Sequence, residues 1–308
     1  MLTTYRFRLY PTRTQESLLN ETLETCRLLY NWMLAERREN SIGFYEQKRA
    51  LVELKKREKY VGAVHSQVLQ DVLLRLDKTY QAFLVGLARR PRFKRKGRYN
   101  SFRYPQLGGF TVIGKALRLS KIGSVKMKLH RPVEGLTKTC TIVRDIDQWY
   151  ACISAVVESK PNESRGGEPV GVDLGVVKLA TLSDGRTFDN PRHLHNFIIR
   201  LKTLQSVLSR KKRGSNNREK ARVMLAKAWR RVRNQRLDLA HKVSANLASE
   251  YPTVVFEDLH IPLMVKNHSL ASAITDASWG QLRRLTAYKV ERRGGRVILV
   301  EPRGTSQK

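Results

Sequence analysis

An alternation of apolar and polar residues marks the first predicted element. Within residues 2–10, Tyr5, Phe7 and Leu9 alternate with polar side chains, and this period of two predicts a strand with one buried face. Apolar residues then recur at helical spacing over about 14–40, 44–59 and 65–87. The first part of the chain is therefore predicted to be one strand followed by about three helices.

Short alternating segments separated by Gly and Pro come next. They occupy residues 110–120, 124–130, 139–145 and 149–157 and predict antiparallel strands, which we expect to complete a small β barrel with the first strand. Residues 159–168, SKPNESRGGE, have the composition of a linker.

A different pattern begins after the linker. Residues 169–186, PVGVDLGVVKLATLSDGR, are apolar enough for one central strand that ends in a tight turn. Helical spacing runs from about 193 to 249 with a break near 213–217, and a strand at 253–259, a helix at 279–294 and a strand from 296 follow. This order predicts a mixed α/β layer fold.

The charge of the chain points to its partner. There are 59 Lys and Arg against 27 Asp and Glu, a formal charge of +32, which favours a polyanion such as nucleic acid. A solubility device and a basic membrane-surface protein are the alternatives. No apolar run of about 18 residues and no secretory h-region occur, so we expect no membrane partner. The three cysteines form no C-x-x-C pair, which favours a reducing cytoplasmic setting.

Two segments concentrate the positive charge. Residues 78–133 contain fifteen Lys and Arg and no acid, with Phe and Tyr between the cations, and residues 200–236 contain fourteen Lys and Arg against one acid. Cations interleaved with aromatic rings suit phosphate contacts and base stacking, although a solvated basic surface is the alternative for each segment. The expected nucleic-acid-binding residues are Arg6, Arg8, Arg92, Lys94, Arg95, Lys96, Arg98, Lys211, Lys212 and Arg213.

Two acids stand in apolar strand patterns, where an unpaired charge is costly. Asp173 lies between two glycines, and Glu257 follows 84 residues later. Carboxylates brought together need a proton or a cation, and Mg²⁺ binds one or two carboxylates together with substrate phosphates. Phosphodiester cleavage would fit such a site. The alternatives are an edge-strand acid or ion pair for Asp173, and Asp258 in place of Glu257.

Six segments resemble, in order, the transposon-encoded TnpB/OrfB proteins. They are YRFRLYPTRTQ, CRLLYNWML, GVDLGVVKLATLSDG, LSRKKRGSNNREKAR, VVFEDL and SWGQLRRLTAYKVERRGGRVILVEPRGTSQ. The resemblance implies a multidomain α+β and α/β protein: a wedge-type β barrel (1–10 and 89–158), a helix-turn-helix-like recognition insert (11–88), the linker, and a RuvC-like domain of RNase H fold (169–308). It also implies an RNA-guided DNA endonuclease, related to type V CRISPR effectors, with guide RNA from the transposon end and double-stranded DNA as partners. The setting that it implies is prokaryotic and nucleoid-associated. Asp173 and Glu257 then match the first two catalytic carboxylates of a two-metal Mg²⁺ site.

The end of the chain departs from this pattern. In the family, TSQ is followed by a zinc ribbon and a third catalytic acid, whereas this sequence ends at Lys308. We therefore expect an incomplete RuvC-like domain without its zinc site, a metal site one ligand short, and a chain that binds guide and target but cuts poorly. The rival hypotheses are a nuclease-dead, RNA-guided transcriptional repressor and a transposase that acts directly in DNA strand transfer.

Overall fold

The computed structural model describes residues 2–158 and 167–301, and the chain divides into two compact units between Glu158 and Ser159. Most of the predicted linker, residues 159–166, lies outside the described residues. The first unit runs in the order β1 (Leu2–Tyr10), α1 (Arg13–Glu39), α2 (Phe44–Arg57), α3 (Lys59–Gly62), α4 (Ser66–Leu84), β2 (Ser101–Tyr104), β3 (Phe110–Ile113), β4 (Ala116–Leu119), β5 (Gly123–Lys128), β6 (Leu136–Asp145) and β7 (Gln148–Val156).

A capping box fixes the start of α1. The Thr12 hydroxyl accepts from the Gln15 backbone N–H at 3.3 Å, and the Gln15 side chain accepts from the Thr12 N–H at 3.1 Å. The two contacts satisfy donors that a helix end otherwise leaves unpaired. The apolar stripe of α1 then packs with that of α4 beneath the β strands, which is why the sequence spacing located both helices well.

The strands of the first unit form an open sheet, not the closed barrel expected from the sequence. Their order is β2-β6-β7-β1-β5-β4-β3, and all the pairings are antiparallel. Within residues 2–158, β2 and β3 are the two edges and do not pair with each other. Tyr5, Phe7 and Leu9 are buried in one core together with apolar residues of α1 and α4, so helices share in covering the apolar face and the sheet does not need to close on itself.

The second unit is built around a mixed sheet. Its elements are β8 (Val170–Asp173), β9 (Lys178–Leu182), β10 (Thr187–Asp189), α5 (His193–Ser209), α6 (Asn216–Glu250), β11 (Thr253–Glu257), α7 (Ile261–Met264), α8 (His268–Ala277), α9 (Trp279–Arg292) and β12 (Arg296–Val300). The strand order is β10-β9-β8-β11-β12, with the first three strands antiparallel and both β11 and β12 running parallel to β8.

The single strand predicted across residues 169–182 is in fact two strands, and this corrects the position of Asp173. The chain reverses between β8 and β9, where a Cβ on Gly175 would lie 2.8 Å from the Lys178 carbonyl oxygen. Only a residue without a side chain fits this close approach. Asp173 therefore ends a strand and is not in the middle of one.

Helices cover one face of the second sheet. Val172 and Phe256 are buried in a core that also contains Leu247 of α6 and Trp279 of α9. Helices α5 and α6 pack along a separate apolar seam that includes Leu201 and Val232, whereas Trp229 of α6 is 45% exposed. Among the residues described, no helix has the length and apolar character needed to cross a membrane.

Candidate functional site

The parallel pairing of β8 and β11 places Asp173 beside Glu257. Val172 is the register partner of Phe256, and the two acids are the next residue on each strand. Neighbouring strands lie about 4.8 Å apart, and successive side chains point to opposite faces. Because Val172 and Phe256 point into the covered core, both carboxylates emerge on the opposite face, at the carboxyl ends of the two strands.

The two acids line one cleft of about 280 Å³, together with Thr181, Ser183 and Val300. Asp173 is exposed, and within residues 2–158 and 167–301 its carboxylate makes neither a hydrogen bond nor an ion pair. The cost of burying an unpaired charge therefore does not arise, since Asp173 leaves the sheet where the sheet opens to solvent.

The structure separates Glu257 from Asp258, which the sequence pattern alone leaves equivalent. Asp258 forms an ion pair with Arg283 of α9 at 2.9 Å, and its backbone N–H donates to the Val300 carbonyl at 2.8 Å. Glu257 lines the cleft and Asp258 does not. The neighbour that the fold gives to Asp173 is thus Glu257.

Two side chains that sequence reasoning missed hold the turn after Asp173. Trp279 Nε1 donates to the Gly175 carbonyl at 3.2 Å, and Asn190 Nδ2 donates to the Val176 carbonyl at 2.9 Å. Trp279 opens the segment SWGQ, which signalled only the start of a helix, and Asn190 carried no signal. Both residues fix the backbone that presents the acid.

The donor set of the cleft fits Mg²⁺. Two carboxylates on one open face leave room for water and phosphate oxygens, which is how proteins usually hold this ion. No cluster of three or more His, Cys, Asp or Glu with metal-binding geometry occurs in the described part of the chain. The residues present therefore fit a magnesium ion bound by Asp173 and Glu257, with the remaining ligands from outside the protein.

On the outer face of the first sheet, two predicted nucleic-acid-binding arginines stack on a tyrosine. The Arg6 guanidinium lies 3.9 Å from the centre of the Tyr150 ring and the Arg8 guanidinium 5.3 Å from it. Arg6 also approaches Asp145 at 3.6 Å, and Arg8 donates to the Tyr150 hydroxyl at 3.5 Å. The sequence predicts only a strand position for Tyr150, and in the structure this residue adds an aromatic surface to the predicted basic one.

The other predicted cations lie in two connections. Arg92, Arg95, Lys96 and Arg98 are exposed between α4 and β2, and Lys94 is half-buried there. The second group occupies the turn between α5 and α6, where all members are exposed: Lys211, Lys212 and Arg213. The first unit thus carries one set of predicted contacts and the second unit the other.

Comparison with known proteins identifies the family. A family model described as "Probable transposase" matches residues 152–268, and one described as "Helix-turn-helix domain" matches residues 1–41. An Escherichia coli (strain K12) protein named "Putative RNA-guided DNA endonuclease InsQ" is 32% identical over 330 aligned positions, which cover 100% of this chain and 82% of that protein. The chain belongs to the TnpB/OrfB family. A Streptomyces pristinaespiralis protein named "Putative RNA-guided DNA endonuclease" is also 32% identical, over 96% of this TnpB/OrfB chain and 77% of the relative.

A solved structure shares the fold of this TnpB/OrfB protein. The structure titled "Cryo-EM structure of the Cas12f1-sgRNA-target DNA complex" aligns with a TM-score of 0.56 at 11% identity, covering 100% of this chain and 90% of that one. At this identity the likeness concerns the fold alone. The stretch matched as a helix-turn-helix, residues 1–41, consists of strand β1 and the long helix α1.

Proposed function

We propose that this TnpB/OrfB protein is an RNA-guided DNA-binding protein whose second unit is a RuvC-type domain of RNase H fold that binds Mg²⁺. The observation that carries the proposal is the placement of Asp173 and Glu257 at register-matched ends of parallel strands, on one face and in one cleft. A mixed sheet whose central strands end in the two acids supports the assignment.

Asp173 and Glu257 would hold the ion. When bound there, Mg²⁺ would polarise a phosphate oxygen and lower the pKa of a bound water, which is the chemistry of phosphodiester hydrolysis. Without a cation, two neighbouring carboxylates repel each other and a phosphate backbone. Trp279 and Asn190 fix the backbone that follows Asp173 through their bonds to the carbonyls of 175 and 176, which holds the strand end that presents this acid.

The partners in this proposal are a guide RNA from the transposon end and a double-stranded DNA target. The net charge of +32 supports two polyanions, and the stacked arginines on Tyr150 and the exposed cations at 92–98 and 211–213 supply phosphate and stacking contacts. The relatives whose names describe RNA-guided DNA endonucleases support RNA and DNA as the two partners; the origin of the guide in the transposon end is part of the proposal.

Metal binding tests the site without requiring cleavage. Water-proton relaxation in the presence of Mn²⁺ should report binding to the purified protein, and Asp173→Ala and Glu257→Gln should each abolish it. Asp258→Asn is the matched control, because Asp258 neighbours Glu257 in sequence but pairs with Arg283 outside the cleft. Equal Mn²⁺ binding by the unmodified chain and both cleft variants would refute the site.

Guide dependence tests the rest of the proposal. We expect guide RNA to increase the affinity for a matching duplex, and any Mg²⁺-dependent cleavage to disappear in Asp173→Ala. Guide-dependent repression that Asp173→Ala leaves unchanged would favour the repressor. Joining of transposon ends without a guide would favour the transposase.

A further inference from the structure

The most basic loop of the first unit is attached to a helix. Residues 91–98, PRFKRKGR, contain five Lys and Arg within eight positions, and like charges this close repel one another. A free loop of this composition would spread its cations into solvent. Instead, its backbone is hydrogen-bonded to α1 at several points.

Asn31 forms the central attachment. Its Nδ2 donates to the Lys94 carbonyl at 3.0 Å, and its Oδ1 accepts from the Lys94 backbone N–H at 2.7 Å. One amide side chain thus satisfies both backbone groups of a single loop residue, as a neighbouring strand would. Arg27 donates to the same carbonyl at 3.0 Å, and Glu24 orients Arg27 through contacts of 2.9 and 2.6 Å.

Further contacts fix the loop on either side of Lys94. Before it, Arg38 donates to the carbonyl of the buried Pro91, and its guanidinium lies 4.8 Å from the Phe93 ring. After it, the Arg98 N–H donates to the Arg95 carbonyl at 3.0 Å, which closes a turn. Gly97 adopts a φ of +74° within this turn, a conformation that favours glycine.

These attachments leave a defined set of cations facing solvent, namely Arg92, Arg95, Lys96 and Arg98. We propose that Asn31 is a positioning residue for nucleic-acid binding, which holds the loop so that these four cations contact the phosphate backbone together. The inference rests on the nucleic-acid binding of the proposed function. Cations that are already held in place in the free protein lose less conformational freedom on binding. An uncharged residue that holds them, such as Asn31, therefore contributes to the affinity for a polyanion.

The salt dependence of binding distinguishes positioning from a purely structural role. The slope of log affinity against log salt concentration counts the phosphates neutralised, at about 0.9 per contact on duplex DNA and about 0.7 on single strands. A substitution that removes no charge and leaves the fold intact changes this slope only if it changes the number of phosphates that the protein neutralises. A neutral substitution that lowers the slope has therefore taken cations out of contact.

The experiment uses Asn31→Ala in the full chain, with a labelled mixed-sequence single-stranded RNA and a salt titration. We expect affinity to fall about threefold to tenfold, as for the loss of one or two hydrogen bonds, and the slope to fall by about 1. Asn40→Ala is the matched control, since Asn40 lies at the end of the same helix and, among the residues that the structure describes, its side chain donates only to Glu36, at 3.0 Å. Amide exchange at Lys94 should accelerate in Asn31→Ala and not in Asn40→Ala.

A second background isolates the loop. In a chain carrying Arg92→Gln, Arg95→Gln, Lys96→Gln and Arg98→Gln, adding Asn31→Ala should have no further effect on RNA affinity, because the cations that Asn31 positions are gone. Should Asn31→Ala fail to give folded protein by circular dichroism, Asn31→Ser, which keeps one hydrogen-bonding group, replaces it with a smaller loss expected.

Three outcomes overturn the inference. Unchanged affinity and slope in Asn31→Ala would show that the loop binds without this attachment. An equal loss in the charge-depleted background would show that Asn31 acts only through the fold. Absence of RNA binding by the unmodified chain would refute the proposed function and the inference together, whereas RNA binding that Asn31→Ala leaves intact refutes the inference alone.

Discussion

One buried acid attaches the basic helix α5 to the second unit. The Asp276 carboxylate, on α8, accepts from the Leu194 N–H at 2.9 Å and from the His195 N–H at 3.4 Å, and it pairs with Arg236 Nε of α6 at 2.8 Å. Arg192, which precedes α5, provides no side-chain cap and has a φ of 48°. Asp276 is therefore both the cap of α5 and the partner of a cation, and Asp276→Ala removes both contacts.

The expected cost follows from burial. The side chains of Asp276 and Arg236 are only 6% and 15% exposed, so water cannot replace the lost partner. Breaking such a buried pair costs about 3–5 kcal/mol, because one charge remains buried without compensation. The lost helix cap, typically about 1 kcal/mol, comes from the same carboxylate and falls within this range. The unfolding midpoint of the unit should drop by roughly 6–20 °C.

Urea unfolding followed by far-ultraviolet circular dichroism measures the change. Asp238→Ala is the matched control, because Asp238 pairs with Lys242 at 2.8 Å but both side chains are well exposed. Such a surface pair contributes at most about 1 kcal/mol. If the two variants lost the same stability, the assignment of Asp276 as a buried cap would be wrong. Replacing Asp276 by Leu and Arg236 by Met together should recover much of the loss, since neither charge is then left alone.

Three further predictions concern the first unit. Asp71 is 3% exposed and bonds to two arginines that are themselves partly exposed, so Asp71→Ala should lower the free energy of unfolding, measured in urea, by about 1.5–3 kcal/mol, as for the loss of hydrogen bonds to charged groups. Burial and two nearby lysines hold the pKa of His65 below its ordinary 6.5. The folded state then binds this proton less well than the unfolded chain, so the free energy of unfolding is retained above about pH 6.5 and falls below that pH. We expect this fall to be smaller in His65→Gln. Burial raises the pKa of Cys26 to about 12, so a thiol reagent should modify half-buried Cys152 before Cys26 in the native protein, and all thiols at similar rates in urea.

Periodicity predicts those helices and strands whose own apolar residues mark the face that is buried. The alternation of Tyr5, Phe7 and Leu9 located β1, and the spacing after Pro11 located α1 within about one residue of its observed start at Arg13. These patterns are reliable because each element buries one face in a core, so its apolar residues recur at the period of a strand or of a helix.

Features made by distant partners could not be predicted in this way. Strands β2 and β3 remain the two unpaired edges of the sheet, and helices share in covering its apolar face. The pattern of a strand does not show that a helix will cover it. The reversal between β8 and β9 occurs inside a continuous apolar run. Val176 and Val177 are not turn-forming residues, and only Gly175 reflects the close approach of the backbone to the Lys178 carbonyl. The sequence pattern does not predict helix α8, which supplies Asp276.

Asp173 and Asp276 show why a site residue needs the fold for its interpretation. Both are single acids in mainly apolar surroundings, VDLG and ITDAS, and nothing local separates them. The fold gives Asp276 two backbone donors and a guanidinium, so its charge is fully used in holding three helices together. It places Asp173 at an exposed strand end beside Glu257. Among the residues that the structure describes, the Asp173 carboxylate pairs with no Lys or Arg, although the chain contains 59 of them. Two neighbouring carboxylates repel each other unless a proton or a cation lies between them, so the proposed cation site rests on Asp173 and Glu257, whereas Asp276, whose charge is already paired, is not part of it.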